Sequence, residues 1–400
     1  MDADGSKRPT SDVSVVMPCL DEAETLGACI RAAKDGLREA GVGGEILIVD
    51  NGSTDGSPSI AEQHGARVVQ EERRGYGAAL RRGCDEATGD LIIMGDADGS
   101  YDFSQLEPFV RAHGEGADVI MGTRIKGTIL PGAMPWKNRY VGNPALTTLL
   151  NALFRTRISD AHCGLRAVDR GTYPDLGLRS TGMEFASEML IKAAVEGKRI
   201  DEVPIVFRPD GRSRPPHLRP WRDGWRHLKL ILLFSPSALF LVPGLILMLA
   251  GLTLLTLQLV APPEAPLEIG ALRMDFHWAV LGMLMVLVGY QVIVVNYFAK
   301  VYAVTHGMRR ADPRLERAFG VLTLERVLVL AVLCVAVGLV VIGVVVNAWI
   351  SNDLGRLTAA STRQFIFGAM LVAVGTQTFF NAFFFSILGD GYERAPGWDR

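Results

Sequence analysis

The sequence is poor in the residues that build metal centres from nitrogen and sulfur. Seven histidines and five cysteines are spread over 400 residues. The cysteines, at 19, 29, 84, 163 and 334, show no paired or metal-like spacing. That excludes a disulfide framework and fits free thiols in a reducing compartment. His162 and Cys163 are adjacent but lack further ligands at a suitable spacing, so nothing argues for zinc. A basic excess is missing too. The formal net charge is -2, against nucleic acid as a partner, which calls for a strongly basic face. There is no Walker loop and no GxGxxG fingerprint. In "RRGYGAALRRG", Gly75 and Gly77 either let backbone approach a ligand or make the turn into a helix. The N-terminus is polar and the apolar run after it is short, so no signal peptide is expected.

What the chain does have is a division. Up to about residue 230 it reads as a soluble α/β protein; beyond that come apolar runs broken by short polar loops. Four stretches, 237–260, 276–299, 327–350 and 365–388, are nearly free of charge. Each exceeds the roughly 20 residues that cross a bilayer as a helix. The segment ahead of the first carries Arg212, Arg214, Arg219, Arg222, Arg226 and Lys229. The loop between the second and third carries Lys300, Arg309, Arg310, Arg314 and Arg317. Between the first and second, Glu264, Glu268 and Asp275 outnumber Arg273. Because basic loops stay inside, the N-terminal domain and the C-terminus are expected on the cytoplasmic side. The membrane would be a plasma membrane or, in a eukaryote, one like the ER.

Gln291, Asn296, Gln377 and Asn381 lie inside the second and fourth stretches. They serve helix–helix hydrogen bonding or a path for a lipid headgroup. In "LRPWRDGWRHLKLILLF", Trp221, Trp225, Leu228 and Leu232 recur at helical spacing beside Arg222, Arg226 and Lys229. This describes a helix lying among membrane lipid headgroups, or an amphipathic helix packed on the soluble domain. The expected organisation is a tail over 1–11, an α/β domain over 12–215, the amphipathic helix over 216–235, four spans over 236–390 and a tail over 391–400.

In the soluble half, 13–17, 45–50, 67–70, 90–95 and 118–121 read as strands, with helices near 22–40, 57–64, 76–87 and 104–113. Such alternation implies a mostly parallel sheet with covered faces. Its ligand crevice lies beyond the carboxyl ends of the strands. Acidic residues collect there: "CLDEAE" after the first strand, Asp50 and "NGSTDGS" after the second, "GDADGSYD" after the fourth. Asp96 and Asp98 are two apart, so persisting strand geometry would aim them the same way. Two close carboxylates repel unless a cation sits near. Oxygen-only ligation with a substrate diphosphate suits Mg²⁺ or Mn²⁺; a solvated turn is the alternative. Asp102 either joins the metal or caps the helix after it.

These stretches, with "VVMPCLDEAETL", "ILIVDNGSTDGS", "GYGAAL", "MGTR", "SDAHCGLRA" and "EVPIVF" in this order, resemble family-2 glycosyltransferases of the GT-A fold. More narrowly, the chain is similar to dolichyl- or polyprenyl-phosphate sugar synthases with C-terminal membrane helices. The resemblance implies roles. Pro18, Glu22 and Asp50 would hold the nucleotide of a nucleotide sugar, and Asp96 and Asp98 the metal and sugar diphosphate. Arg124 and Arg139 would meet phosphates. Glu184 and Glu188 would lie under an acceptor loop, "RPDGRSR", whose Arg208, Arg212, Ser213 and Arg214 are available for a lipid phosphate. A homo-oligomer is compatible with it.

Two positions depart from the pattern. Ser100 stands where some relatives carry a metal-binding glutamine, so Asp102 or water would substitute. "GRSR" replaces the usual "GxSK", trading Lys for Arg, which grips phosphate with two bonds. The implied reaction is inverting, metal-dependent transfer of a hexose to polyprenyl phosphate. A processive polysaccharide synthase is the alternative enzyme, but its Gln-x-x-Arg-Trp stretch is missing. An inactive lipid-binding or transport scaffold is the non-enzymatic one.

Overall fold

The computed structural model describes residues 12–213, 220–260, 267–269, 272–305 and 323–392. Arg214, Arg219, Arg309, Arg310, Arg314, Arg317, the 1–11 tail and residues 393–400 lie outside the described residues. The chain forms two compact units, Met1–Phe234 and Ser235–Arg400.

The first unit alternates strands and helices: β1 (Asp12–Cys19), α1 (Leu26–Glu39), β2 (Gly43–Asp50), α2 (Ser57–Gln63), β3 (Arg67–Gln70), α3 (Tyr76–Glu86), β4 (Leu91–Met94) and α4 (Glu107–Gly114). It continues with β5 (Val119–Ile129), α5 (Asn143–Phe154), β6 (Arg166–Asp169), α6 (Tyr173–Leu176), α7 (Phe185–Val195), β7 (Ile200–Phe207) and α8 (Pro220–Leu233). The strands make one seven-stranded sheet in the order β3-β2-β1-β4-β6-β5-β7. β1 runs parallel to β2 and β4, β2 to β3, and β5 to β7. Only β6 is reversed, against β4 and β5. The carboxyl ends of β1, β2, β4, β5 and β7 therefore share one edge with the start of β6.

The central strands are buried on both faces, which is why they read as continuous apolar runs. In β1, Val13, Val15 and Met17 pack with Leu26 and Ile30 of α1 and with Phe103 and Phe109. Val16 faces the other way, into a cluster with Leu80, Met189 and Leu190. Two strands were not foreseen. β6 has four residues, RAVD, too few to show alternation. β7 contains Pro204, which is tolerated because β7 is an edge strand.

The tryptophan-rich helix is α8, and one of its faces packs on the first unit. Asp223, His227 and Ile231 are buried at intervals of four, and Ile231 joins the core of the first unit. Trp221 and Trp225, on the other face, stay 93% and 62% exposed.

Among the described residues of the second unit, four helices are long and apolar enough to cross a membrane: Ser237–Val260, Phe276–Val304, Leu324–Ser351 and Ala359–Leu388. The first opens with a π-helical turn, Ser237–Leu241, before α9 (Val242–Val260); the second is α10 (Phe276–Thr305). The first matches its apolar window in the sequence, and the other three run longer than theirs. Between the first two, β8 (Leu267–Ile269) and β9 (Leu272–Met274) pair as a small antiparallel hairpin, which nothing in the sequence announced. Glycines let backbones touch. A Cβ at Gly251 would lie 2.6 Å from the Gly282 carbonyl oxygen, and one at Gly338 would lie 2.7 Å from that of Gly368. Arg363, buried in the fourth helix, donates to the Gln258 carbonyl at 3.0 Å.

Candidate active site

The carboxyl edge of the sheet is organised by side chains that tie its loops together. Cys19 and Asp50 are register partners at the ends of β1 and β2, so their loops leave the sheet side by side. Asp50 is buried, and its carboxylate accepts from the Ser53 amide at 3.1 Å and the Gly52 amide at 3.3 Å. The two loops are then zipped. The Asp21 amide donates to Ser53 Oγ, the Thr54 amide to Asp21 Oδ1 and the Glu22 amide to Ser57 Oγ, at 2.9, 2.7 and 2.9 Å. Pro18, half-buried, is still part of β1 opposite Val49, and the loop that carries Glu22 begins after Cys19.

Asn51 is a residue the sequence reading missed. Its Nδ2 donates to the Glu71 and Arg73 carbonyls at 2.8 and 3.0 Å. Its Oδ1 accepts from the Gly75 amide at 2.7 Å. One side chain thus joins the loop after β2 to the loop after β3. Its neighbour, the acidic Asp50, drew attention; an amide carries no charge to draw it.

Asp96 and Asp98 follow β4 and face different partners. Asp98 is buried, and its Oδ1 accepts from the Ser100 amide at 3.0 Å and from the Ser100 hydroxyl. Asp98 Oδ2 is held at 2.6 Å by Arg212 Nη2. Asp96 Oδ1 is buried without a hydrogen-bond partner. Burial first, and then Asp98, push the Asp96 carboxyl up to about 6, while the Tyr76 hydroxyl, Arg166 and Arg212 pull the other way. An oxygen-only pair with one unsatisfied atom and a raised carboxyl fits a hard divalent cation. Among the described residues no group of three or more His, Cys, Asp or Glu is arranged around a metal. Asp96 and Asp98 are the residues that would hold such a cation.

Gly164, ahead of β6, makes room for Asp96. A Cβ there would lie 2.7 Å from Asp96 Oδ2 and 2.7 Å from the Tyr101 hydroxyl. That hydroxyl accepts from the Gly164 amide at 2.7 Å. Arg166, two residues on, is fully buried and donates to the Cys163 carbonyl, and at 3.4 Å to that of Gly164.

The other predicted residues divide. Arg212 joins the site, bridging Asp98 and, at 3.0 Å, Glu22. Ser213 donates to Glu24 from its amide at 2.8 Å and its hydroxyl at 2.5 Å. Arg208 reaches Asp102 at 2.6 Å, and Asp102 also accepts from the Ser104 amide at 3.1 Å. So Asp102 holds a turn and the Arg208 side chain, and it caps no helix: α4 begins only at Glu107, with no side-chain cap at its start. Arg124 differs most from expectation. Its Nε and Nη2 bond both oxygens of the buried Asp160, and its guanidinium lies 5.2 Å from the Phe207 ring centroid. It is a closed ion pair, and Asp160, in "SDAHCGLRA", was the overlooked half. Arg139 sits in a π-helical turn, Asn138–Gly142, over the Tyr140 ring at 5.4 Å. Glu188 is buried against Lys192 at 2.8 Å and the Ser180 amide at 2.7 Å, while Glu184 approaches Arg226 at 4.0 Å.

Comparison with known proteins assigns the fold. Residues 14–177 match the model of glycosyl transferase family 2, and residues 297–389 match the family 2 C-terminal transmembrane region. The low-salt glycan biosynthesis hexosyltransferase Agl6 of Haloferax volcanii is 34% identical over 98% of this chain and 92% of its own. The chain is a family 2 glycosyltransferase. The GT-A-like sheet and four candidate spans make it an integral membrane enzyme. The dolichyl-phosphate hexose transferase of the same organism is 33% identical over 53% of this chain and 89% of its own. Glucosyl-3-phosphoglycerate synthase from Mycobacterium tuberculosis overlays with a TM-score of 0.43 at 22% identity, over 57% of this chain and 80% of that one.

Proposed function

We propose that this glycosyltransferase moves a hexose from a UDP- or GDP-sugar to polyprenyl or dolichyl phosphate, with inversion, at the cytoplasmic membrane face. The observation that carries the reading is the 2.6 Å contact of Arg212 with Asp98. It puts the loop proposed for the acceptor phosphate against the acidic pair proposed for the donor. The likeness to a protein named dolichyl-phosphate hexose transferase supports the lipid acceptor.

An acceptor phosphate oxygen attacks the anomeric carbon. As that bond forms, the bond from the same carbon to the donor's diphosphate breaks, and the nucleoside diphosphate leaves. A phosphate monoester, with its second pKa near about 6, is mostly ionised at neutral pH, so no strong general base is needed. The obstacle is the approach of one anion to another. When bound at Asp96 and Asp98, Mg²⁺ or Mn²⁺ supplies positive charge for the departing diphosphate. Pro18, Glu22 and Asp50 shape the nucleotide end. Arg139, Arg208, Arg212 and Ser213, with Arg214 beyond the described residues, neutralise and orient the acceptor. Arg124 acts indirectly, by fixing the segment around Asp160 behind Gly164.

The test is to incubate the purified enzyme with Mg²⁺ or Mn²⁺, polyprenyl phosphate and a panel of nucleotide sugars. One sugar on one lipid is expected, and Asp98→Ala should abolish transfer without unfolding the protein. A polymeric product, or full activity in that variant, overturns the reading. Sidedness rests on the basic residues before the first span and after the second, and is checked by labelling cysteines placed in those loops of the intact membrane.

A further inference from the structure

Arg212 is set among more acids than it can serve in a finished acceptor site. Its side chain is 11% exposed, and its guanidinium pairs with Asp98 at 2.6 Å, Glu22 at 3.0 Å and Asp210 at 3.4 Å. The surrounding backbone is hooked to the same turn. The Gly211 amide donates to the Asp98 carbonyl, and the Arg208 amide to the Ser100 carbonyl, both at 2.9 Å. Arg212 Nε, meanwhile, is buried with no partner. An arginine with two satisfied corners and a stranded third is not in its best environment, since a buried unmatched donor costs about 1–3 kcal/mol.

We propose that Arg212 is the resident cation of the donor-free enzyme. It holds the seat that a divalent ion takes when donor binds, and it is then released to the acceptor phosphate. The proposal rests on the metal-dependent transfer argued above and adds an order to it. Arg212 lies between the carboxylates of Glu22 and Asp98, and close carboxylates need a positive charge among them. With Asp98 Oδ1 committed to Ser100, Oδ2 is the oxygen that Arg212 and a divalent ion would both use. They cannot both have it. An ion carrying two charges, with the donor's diphosphate, displaces the guanidinium. Arg212 then has a free fork on a loop beside Ser213, suited to grip a tetrahedral phosphate by two bonds. The acceptor site is thereby completed only after the donor has bound, which protects the donor from attack by water in an unfinished site.

Affinity for Mn²⁺ alone tests this without turnover. The full chain in detergent, as wild type, Arg212→Ala, Arg212→Lys and Asp98→Asn, is titrated with Mn²⁺ while the paramagnetic resonance of the free ion is followed. Arg212→Ala is expected to bind Mn²⁺ about tenfold more tightly than wild type, a difference of about 1.4 kcal/mol. Arg212→Lys should fall between, and it carries the test if the alanine variant does not fold. A spin label on Ser213→Cys should gain mobility when Mn²⁺ is added with UDP or GDP. Equal or weaker Mn²⁺ binding in the Arg212 variants, with unchanged unfolding midpoints, overturns the proposal and leaves lipid-phosphate glycosylation standing. If neither wild type nor variant binds Mn²⁺ even with UDP or GDP, the metal reading falls as well.

Discussion

Arg124 donates from Nε and Nη2 to the two carboxylate oxygens of Asp160, at 2.7 and 2.8 Å, and from its backbone amide at 3.1 Å. Burial raises the Asp160 carboxyl, but the Arg124 guanidinium outweighs it and holds that carboxyl below the usual carboxylate range. Both side chains are buried, so water cannot replace a lost partner. Removing one half of such a pair costs about 3–5 kcal/mol. Arg124→Met and Asp160→Asn should each lower the unfolding midpoint, and together they should cost less than the sum of the two. Denaturant unfolding of the four proteins checks this, and strict additivity would count against the pair. The sign with pH follows from the lowered carboxyl. Its stabilisation is present above the unfolded value of about 3.9 and is lost as pH falls below it.

Gly164 is expected to be intolerant of any side chain. A methyl group there meets Asp96 Oδ2 and the Tyr101 hydroxyl, each at 2.7 Å. Asp96 would have to swing away from its place at the sheet edge, and displacements of this size in a reacting site cost about a hundredfold in rate. Gly164→Ala should lose transfer by that order while staying folded. Gly224→Ala, in α8 with open space around the new carbon, is the control and should keep its activity. Similar rates for the two variants would remove Gly164 from the site.

Much of this was legible because period and polarity report what a chain buries. The first four strands and their helices stood out because β1 and β4 are mostly apolar and run into loops rich in acids. The spans stood out because lipid tolerates so little charge. What escaped depends on pairing across distance. Arg124 reads as a free basic residue until Asp160, 36 positions later, is seen to occupy it. Asn51 looks like a turn former until three backbone groups of the loop after β3 are found converging on its amide. The hairpin of β8 and β9 has three residues per strand, too few for any period to show. Arg212 was legible as a cation near phosphate; that it holds Asp98 and Glu22 needed the fold.

Acid should loosen the contact between α8 and the catalytic unit. His227 Nδ1 lies 2.7 Å from Ser187 Oγ on α7, and the His162 ring meets the His227 ring edge-on at 4.6 Å. Burial, then Arg166, push the His227 imidazole down to about 4, against the pull of Asp223. Burial and His227 lower His162 as well. The unfolded chain titrates near about 6.5. Between about 6.5 and about 4 it takes up protons that the folded protein refuses. Stability is therefore full above about 6.5 and is lost as pH falls toward about 4. The unfolding midpoint should drop between pH 7.5 and pH 5, and His227→Gln, which keeps a polar group but cannot charge, should drop less. The same slope in both proteins would assign the acid sensitivity elsewhere.

In the second unit, glycine position decides the outcome of substitution. A Cβ at Gly251 would meet the Gly282 carbonyl oxygen at 2.6 Å and the Val286 amide nitrogen at 2.8 Å. Both are backbone atoms of α10, and neither can give way without moving the helix. Gly251→Ala should push α9 and α10 apart and cost about 1–3 kcal/mol, the usual penalty of overpacking. Gly343, in the third spanning helix, has nothing within 4 Å of its added carbon. Gly343→Ala should instead be neutral or stabilise by up to about 1 kcal/mol through helix propensity. Thermal unfolding in one detergent, followed by aggregation, separates the cases. If Gly343→Ala proves the more damaging, the close approach of α9 and α10 is not what holds this half together.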